Sequence, residues 1–203
     1  KVTLMPMNLS EKQFDVVVIG GGAAGMMAAG IAASRGKRVL LLEKNKRLGE
    51  KLRITGGGRC NITQYQLDLR KLLAQYGAAE KYLYSAFTDF GVLETEAFFN
   101  QQGITLKIEA NNRAFPATEH APDVQKALER FCNDHGVVIQ TESTVKAIHQ
   151  ESEQWKVVVQ QKRVQEIITD KVIVATGGLS HPETGSTGDG MKWLRDLGCV
   201  LAD

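Results

Sequence analysis

The chain has 203 residues, 43% of them hydrophobic, which is enough to bury a core and build one domain with at most a small appendage. Its formal net charge of +2 is spread over interspersed acids and bases, so composition makes no case for nucleic acid or a charged membrane surface as a partner. The three cysteines, Cys60, Cys132 and Cys199, are odd in number and far apart; they point to neither a disulfide framework nor a zinc ligand set, and favour a reducing compartment.

The opening "KVTLMPMNLSEKQ" has no apolar h-region and no small-residue cleavage pattern, so residues 1–13 are expected to be an N-terminal extension rather than a signal peptide. "FDVVVIG" (14–20), a β-branched run closed by glycine, predicts a strand buried on both faces. "AAGMMAAGIAASRG" predicts a helix ending at Gly36, and "KRVLLLE" (37–43) a second buried strand, together a parallel βαβ unit. Val16 to Ala33 is uncharged for eighteen residues, about the length of a membrane span. The interior glycine triplet and the switch from β-branched to Ala/Met composition argue instead for a strand followed by a close-packed helix.

From 43 to about 65 there is no periodicity, only glycine and basic residues. Helical patches follow near 67–86 and 92–102, then short strands over 104–116 around "NNRAFP". "APDVQKALERFCNDHG" (121–136) predicts a helix, with Val124, Ala127, Leu128 and Phe131 at helical spacing between an opening Pro–Asp and a closing glycine. "VVIQTE", "TVKAIHQE", "QWKVVVQQ", "RVQEIIT" and "DKVIVATGG" read as closely spaced strands with polar turns, a meander that ends on an apolar strand. "TGDGMKWLRDLG" opens a last helix. There is no internal repeat and no low-complexity linker.

Gly20-x-Gly22-x-x-Gly25 stands between the first strand and its helix. In such a fingerprint the first glycine permits the tight turn, the second leaves room for a pyrophosphate, and the third lets helix and strand pack closely. The helix N-terminus, at Ala23 and Ala24, offers free N–H groups and partial positive charge to phosphates. Glu43, at the end of the second strand, is placed to accept hydrogen bonds from a ribose diol, and Lys44 beside it joins the candidate cofactor-binding positions.

A nicotinamide domain would continue with another helix and a third parallel strand. Here the second strand runs into a long glycine- and arginine-rich loop, and the meander comes later. That order resembles the FAD domain of the glutathione-reductase-like flavoproteins. The expected fold class is therefore α/β, a Rossmann-like FAD-binding domain of the glutathione-reductase type with a β-meander, over 14–203. In that group the strand after the meander ends in Thr-Gly, as "VIVATGG" (172–178) does here. The resemblance implies that Thr176 and Gly177 lie near the cofactor, on the same carboxyl edge as Gly20 and Glu43. Val145, within the meander, is a further candidate position.

"GGGAAGMMAA", "KLRITGGGRCNIT", "NRAFPATEHAPDV" and "VIVATGGLSHPETGSTGDG" together resemble the BaiN-like bacterial flavoproteins, from Phe14 onward. That family includes proteins described as aminoacetone oxidases and as bile-acid dehydro-steroid reductases. The resemblance implies tightly bound FAD, a cytoplasmic location, and two-electron chemistry on a small-molecule substrate with NAD(P)H as a possible electron donor. Family members are roughly double this length, with a largely β domain inserted after the "TGSTGDG" helix before the chain returns. The chain is thus expected to be a truncated first part, without the inserted domain and the return segment.

"TGGGRCNIT" (55–63) poses its own question. A phosphate loop needs a lysine and a Ser/Thr after the last glycine, and neither is present. A redox disulfide needs a partner near Cys60, and the next cysteine is Cys132. A plain turn remains, beside the reading the resemblance implies: a backbone wall for the flavin made by Thr55, Gly57, Gly58, Arg59, Cys60 and Asn61. N–H groups of Gly57, Gly58 or Arg59 would then meet ring heteroatoms, and Arg59 or Lys51 would neutralise phosphate or reduced-flavin charge. Cys60 itself reads as a small packed residue.

The four histidines never fall at metal-ligand spacing, so no metal is expected, and His181 is either a loop histidine or a proton donor near the flavin. "DFG" (89–91) and "GGLSHP" (177–182) lack the companion residues of the kinase and hydrolase motifs they echo. The expected function is an FAD-dependent oxidoreductase transferring a hydride through the flavin, with no catalytic acid or base assigned. A non-catalytic FAD- or ADP-binding module is the alternative from another class. A disulfide reductase is disfavoured by the missing second cysteine.

Overall fold

The computed structural model describes residues 13–201, so the expected N-terminal extension lies outside the described residues up to position 12. In chain order the elements are β1 (Phe14–Ile19), α1 (Ala23–Ser34), β2 (Val39–Leu42), α2 (Glu50–Gly58), β3 (Thr63–Gln64), α3 (Leu69–Ala74), α4 (Glu80–Asp89) and α5 (Val92–Gln101). There follow β4 (Leu106–Glu109), β5 (Arg113–Pro116), α6 (Ala121–Asp134), β6 (Val138–Gln140), β7 (Thr144–Glu151), β8 (Gln154–Gln160), β9 (Val164–Val174) and α7 (Asp189–Asp196). The chain divides into two compact units, one made of residues up to Lys51 with those from Phe131 onward, the other of Leu52–Arg130.

The first unit is built on a six-stranded sheet in the order β6-β2-β1-β9-β8-β7. Its centre is β1, paired in parallel with β2 on one side and with β9 on the other. Val17 and Val18 are fully buried, as are Leu40 and Leu41 of β2, because both faces of these strands are covered. Met26 and Ala29 of α1 are likewise fully buried, and the small Ala and Gly residues of this helix let it approach the sheet closely. Phe131, in the last turn of α6, lies against α1: a side chain at Gly30 would come within 2.3 Å of its ring. A second apolar cluster joins Phe14, Val17, Ile19, Leu40 and Leu42 to inward residues of β7, β8 and β9 and to Trp193 of α7.

Two readings of the sequence change here. "VVIQTE" is not a meander strand: β6 pairs in parallel with β2, Leu40 opposite Val138, and so extends the parallel order to β6-β2-β1-β9. It arrives after the whole second unit and the helix α6, and periodicity cannot tell such an edge strand from a meander strand. "RVQEIIT" and "DKVIVATGG" are a single strand, β9, without a turn at Asp170. Thr169 is opposite Trp155 of β8 and also opposite Phe14 of β1, so β9 exchanges an antiparallel neighbour for a parallel one without breaking. Its final residues are less covered than an apolar run suggests, with Ile173 36% exposed.

The second unit contains a three-stranded antiparallel sheet, β3-β5-β4, with α3, α4 and α5. Glu94 caps α5 by accepting the Gly91 N–H at 3.0 Å. Phe98 and Phe99 stack edge to face at 5.1 Å, and the Tyr65 hydroxyl donates to Glu96 at 2.7 Å. The stretch from 43 to 65, which shows no periodicity in sequence, contains α2 and β3.

Thr169 is 1% exposed, and its hydroxyl donates to the Phe14 carbonyl at 3.0 Å, tying β9 to β1 where the partner changes. Thr169→Val removes the donor and leaves that carbonyl without it, so it should lower the unfolding free energy by about 1–2 kcal/mol. Urea denaturation measures this; an unchanged midpoint would show that the bond contributes nothing.

Candidate functional site

The carboxyl ends of β1, β2 and β9 meet at one edge of the first unit. Gly20 leaves β1 with φ +105°, its N–H donating to the Leu42 carbonyl at 2.8 Å. A Cβ at Gly20 would lie 2.5 Å from the Ala175 carbonyl oxygen and 3.1 Å from Thr176 Cα. At Gly25 a Cβ would lie 1.8 Å from the Gly20 carbonyl oxygen, so this glycine is set by helix-to-strand contact. Around Gly22 a Cβ would meet nothing within 4 Å. Three glycines of one motif thus answer to a turn, a close approach and an open space.

That open space lies at the start of α1. Gly22 is the N-cap with no side-chain cap, the first turn carries no acid, and Ala23 and Ala24 are exposed. The first N–H groups of a helix have no partner within it and carry partial positive charge, which suits them to an anion. Glu43 is buried, 8% exposed, with Oε2 accepting the Gly21 N–H at 2.7 Å and Oε1 the Asn45 N–H at 2.8 Å. Its carboxylate therefore staples the glycine loop to the end of β2, while each oxygen keeps capacity for a hydroxyl donor. Gly21 escaped the sequence reading; a Cβ there would come within 2.4 Å of Leu48 Cδ2.

Lys44 donates to Asp189 at 2.9 Å and to the Thr187 hydroxyl at 2.7 Å, so its charge is balanced within the protein. That hydrogen bond from Lys44 holds the Asp189 carboxyl below the usual carboxylate range, with help from Thr187. Asn45 Nδ2 donates to the Thr184 carbonyl at 3.0 Å, and Lys51 to Ser186 Oγ and the Ser180 carbonyl, both at 2.6 Å. The segment after β9 is thus laced to the segment after β2. Gly177 lies within this lacing at φ +72°, where a Cβ would come 2.9 Å from Ser186 Oγ. Positions 135 apart in sequence, such as Lys51 and Ser186, carry no spacing signal; the small and hydroxyl residues of "TGSTGDG" were the one hint. Val145 places its side chain in the core of this unit, 7% exposed, beside a register shift of β7 against β8.

His181 adopts a left-handed backbone, φ +53°, with Nδ1 2.8 Å from Glu183 Oε1. The contact with His181 holds the Glu183 carboxyl below its usual range.

"TGGGRCN" belongs to the second unit and has its own geometry. Within α2 the helical path breaks at Thr55, whose backbone is extended, after which Gly56, Gly57 and Gly58 take φ of +57°, +69° and +85°, and Cys60 takes +64°. A run of left-handed residues is what glycine permits and other residues resist. This backbone requirement, rather than a side-chain collision alone, accounts for the triplet. At Gly56 there is also crowding, since a Cβ would sit 2.9 Å from Phe115. Arg59 donates to both oxygens of Glu109 at 3.1 Å and stacks over Phe115, 4.1 Å from the ring centre, so its charge is already balanced. Burial pushes the Cys60 thiol up, partly offset by a hydrogen bond to Thr55. With its amide nitrogen turned toward them, Asn61 donates to the carbonyls of Ala114 and Thr63, each at 3.1 Å.

Of the positions singled out in sequence, Gly20, Gly22, Ala23, Ala24, Gly25, Glu43, Lys44, Thr176 and Gly177 therefore come together at one sheet edge. Among the described residues no cluster of His, Cys, Asp and Glu is arranged to hold a metal ion, and no helix is long and apolar enough to cross a membrane.

Comparison with known proteins gives a match to the model of the HI0933-like protein Rossmann domain over residues 14–203. A ribosomal RNA dihydrouridine synthase of Escherichia coli is 28% identical over 187 residues, covering 92% of this chain and 45% of that protein. A 3-dehydro-bile acid delta(4,6)-reductase of Clostridium scindens is 31% identical over 188 residues, covering 91% of this chain and 44% of that protein. The chain thus spans about half the length of the curated relatives it matches. Among solved structures, a 3-ketosteroid-delta4-(5alpha)-dehydrogenase from Rhodococcus jostii superposes with a TM-score of 0.65 at 18% identity. It covers 87% of this chain and 47% of that one, a likeness of fold.

The glycine geometry separates folding from binding. Gly25→Ala should lower stability by about 3 kcal/mol, because the new methyl meets backbone that cannot move aside. Gly22→Ala should stay within about 0.5 kcal/mol of the parent, since the space is open and its φ of −76° suits alanine. Thermal denaturation of the two variants side by side is the measurement, and equal losses would contradict the geometry.

Proposed function

For this chain, which belongs to the HI0933-like Rossmann-domain family, we propose the FAD-binding portion of a flavin-dependent oxidoreductase. The observation that carries the reading is the open, uncapped start of α1 beside a buried Glu43. The residues present fit a dinucleotide. N–H groups at Gly22 to Ala24 would hold the diphosphate, and Glu43 would accept the hydroxyls of the adenosine ribose while keeping the loop in register. Thr176 and Gly177 would border the diphosphate from the end of β9.

FAD is preferred to a nicotinamide cofactor because three antiparallel strands, β7-β8-β9, join the parallel sheet at β9, an order that resembles the glutathione-reductase type and supports that reading. The backbone of the second glycine run would face an isoalloxazine ring, a reading supported by the family resemblance and by the left-handed run at 56–58. Bound FAD supplies two-electron hydride chemistry, and the chain's own residues bind and orient it. Its free thiols, two buried and one exposed, suit the reducing cytoplasm.

The names of the two curated relatives describe different molecules, a ribosomal RNA and a bile acid, but both describe adding hydrogen across a carbon–carbon double bond. The proposed reaction class is accordingly reduction of a double bond conjugated to a carbonyl, with NAD(P)H as the source of electrons. A non-catalytic FAD-binding module is the competing reading.

The full-length protein loaded with FAD should bleach in the visible when NAD(P)H is added without oxygen, and recover colour when a conjugated enone or a uridine-containing RNA is supplied. Bound flavin that neither reductant nor acceptor touches would favour the binding module. Gly22→Ala should weaken FAD binding about tenfold or more without loss of fold, since its methyl occupies the space assigned to the diphosphate. Calorimetric titration reads that change, and unaltered affinity would move the cofactor elsewhere.

A further inference from the structure

We infer that the second unit carries an oxyanion site centred on Arg113, which takes the carboxylate or phosphate group of an incoming substrate. Glu109 and Arg113 are cross-strand partners in β4 and β5, as are Lys107 and Phe115. Strand alternation therefore brings all four side chains to one face of the small sheet. Arg59 joins them from the end of the glycine run, and Glu119 from the loop after β5. Three cations thus meet two carboxylates.

The carboxylates are not shared evenly. Glu109 spends both oxygens on Arg59, each at 3.1 Å, and Lys107 is taken by Glu119. Arg113 receives what remains. Its Nη2 is 4.0 Å from Glu109, beyond hydrogen-bond reach, and its Nε donates to the Ala110 carbonyl at 3.3 Å. A guanidinium offers five N–H donors in a planar fork that matches two oxygens of one anion, and this one is 45% exposed. It is nevertheless held in place, 5.6 Å from the centre of the Phe115 ring.

The turn that delivers Arg113 is built at a cost. Asn111 and Asn112 both take a left-handed backbone, φ +60° and +56°. Their carbonyls are tied down by the Gln64 side chain and the Tyr65 N–H, each at 2.6 Å. Backbone of this kind persists where its surroundings enforce it, and it concentrates at ligand clamps. The location tells whose anion is taken. Phe115 also meets the glycine run, since a Cβ at Gly56 would lie 2.9 Å from its ring. If that run faces the isoalloxazine ring, Arg113 stands beside the reacting end of the cofactor, where a substrate enters. That the anion belongs to a substrate rests on the flavin reading above; the site itself does not.

The test is thermal denaturation of the full-length, FAD-saturated protein in rising inorganic phosphate, and separately in acetate, with chloride holding the ionic strength constant. The parent's midpoint should rise along a saturating curve, as it does when an anion binds only the folded state. Whichever anion saturates at the lower concentration names the group. Arg113→Gln should raise the half-saturating concentration about tenfold or more, and Arg113→Lys, which keeps the charge but loses the fork, should recover part of that loss. Glu109→Gln should lower the half-saturating concentration about tenfold, because it removes the resident carboxylate that an incoming anion must face.

That opposite sign separates a binding site from a structural ion network. Glu109→Gln and Arg113→Gln weakening the anion response alike would make the cluster a tie between β4 and β5 and overturn the inference. A rise without saturation, equal in all variants, would be a bulk salt effect and overturn it as well. Loss of FAD affinity in Arg113→Gln would give the guanidinium to the cofactor and refute the substrate assignment. A parent that binds no FAD would remove the cofactor reading, while the same anion titration, run on the empty protein, would still decide the site.

Discussion

Everything at the candidate site depends on how closely α1 comes to the turn that precedes it. The contact between Gly25 and the Gly20 carbonyl leaves no room for even a methyl group, and it fixes both the direction of the helix and the point where its free N–H groups emerge. From that contact the other arrangements follow. The turn must pass through a left-handed residue at Gly20, the end of β9 is brought against it, and the middle glycine must surrender its N–H to Glu43. A carboxylate buried this deeply is tolerated because both oxygens accept backbone hydrogen bonds. Glu43 is then a structural residue before it is a ligand for anything.

The parallel half of this unit was readable because its physics is local. β-branched runs, an Ala/Gly helix and glycine punctuation declare β1, α1 and β2 without reference to the rest of the chain. What could not be read was pairing. β6 looks like any short strand, and only the helix before it and the free edge of β2 decide that it runs parallel. Thr169 and Asp170 look like a turn because one is a hydroxyl and the other an acid. In the fold, Thr169 is buried and hydrogen-bonded while Asp170 points outward. Polarity marks a turn only when the side chain has no partner inside.

The same limit applied to the site. The glycine fingerprint and Glu43 follow from spacing, since they lie within one βαβ unit. Asn45, Lys51, Ser180, Ser186 and Asp189 meet only through the fold, across more than a hundred residues of chain. Charges mislead most in a one-dimensional reading. Lys44, Lys51 and Arg59 look equivalent in sequence, and only their neighbours show that two of them are already paired with carboxylates. For "TGGGRCN" the resemblance names a ligand for the glycines. The dihedral angles add that the backbone itself demands them, with or without that ligand.

The partner exchange along β9 also bears on how the protein is made. β1 lies at the centre of its sheet, yet the Phe14 carbonyl and the Thr169 hydroxyl that join the two strands are 155 residues apart. At synthesis rates of about 5–20 residues per second that interval lasts roughly 8 to 30 seconds. Through that time β1 leaves the ribosome with one long apolar edge unsatisfied, a template for the wrong strand. The sheet can close only from its late side, when a single strand delivers the antiparallel arm and the last parallel neighbour together. Such a topology is slow to nucleate and exposed to aggregation while it waits.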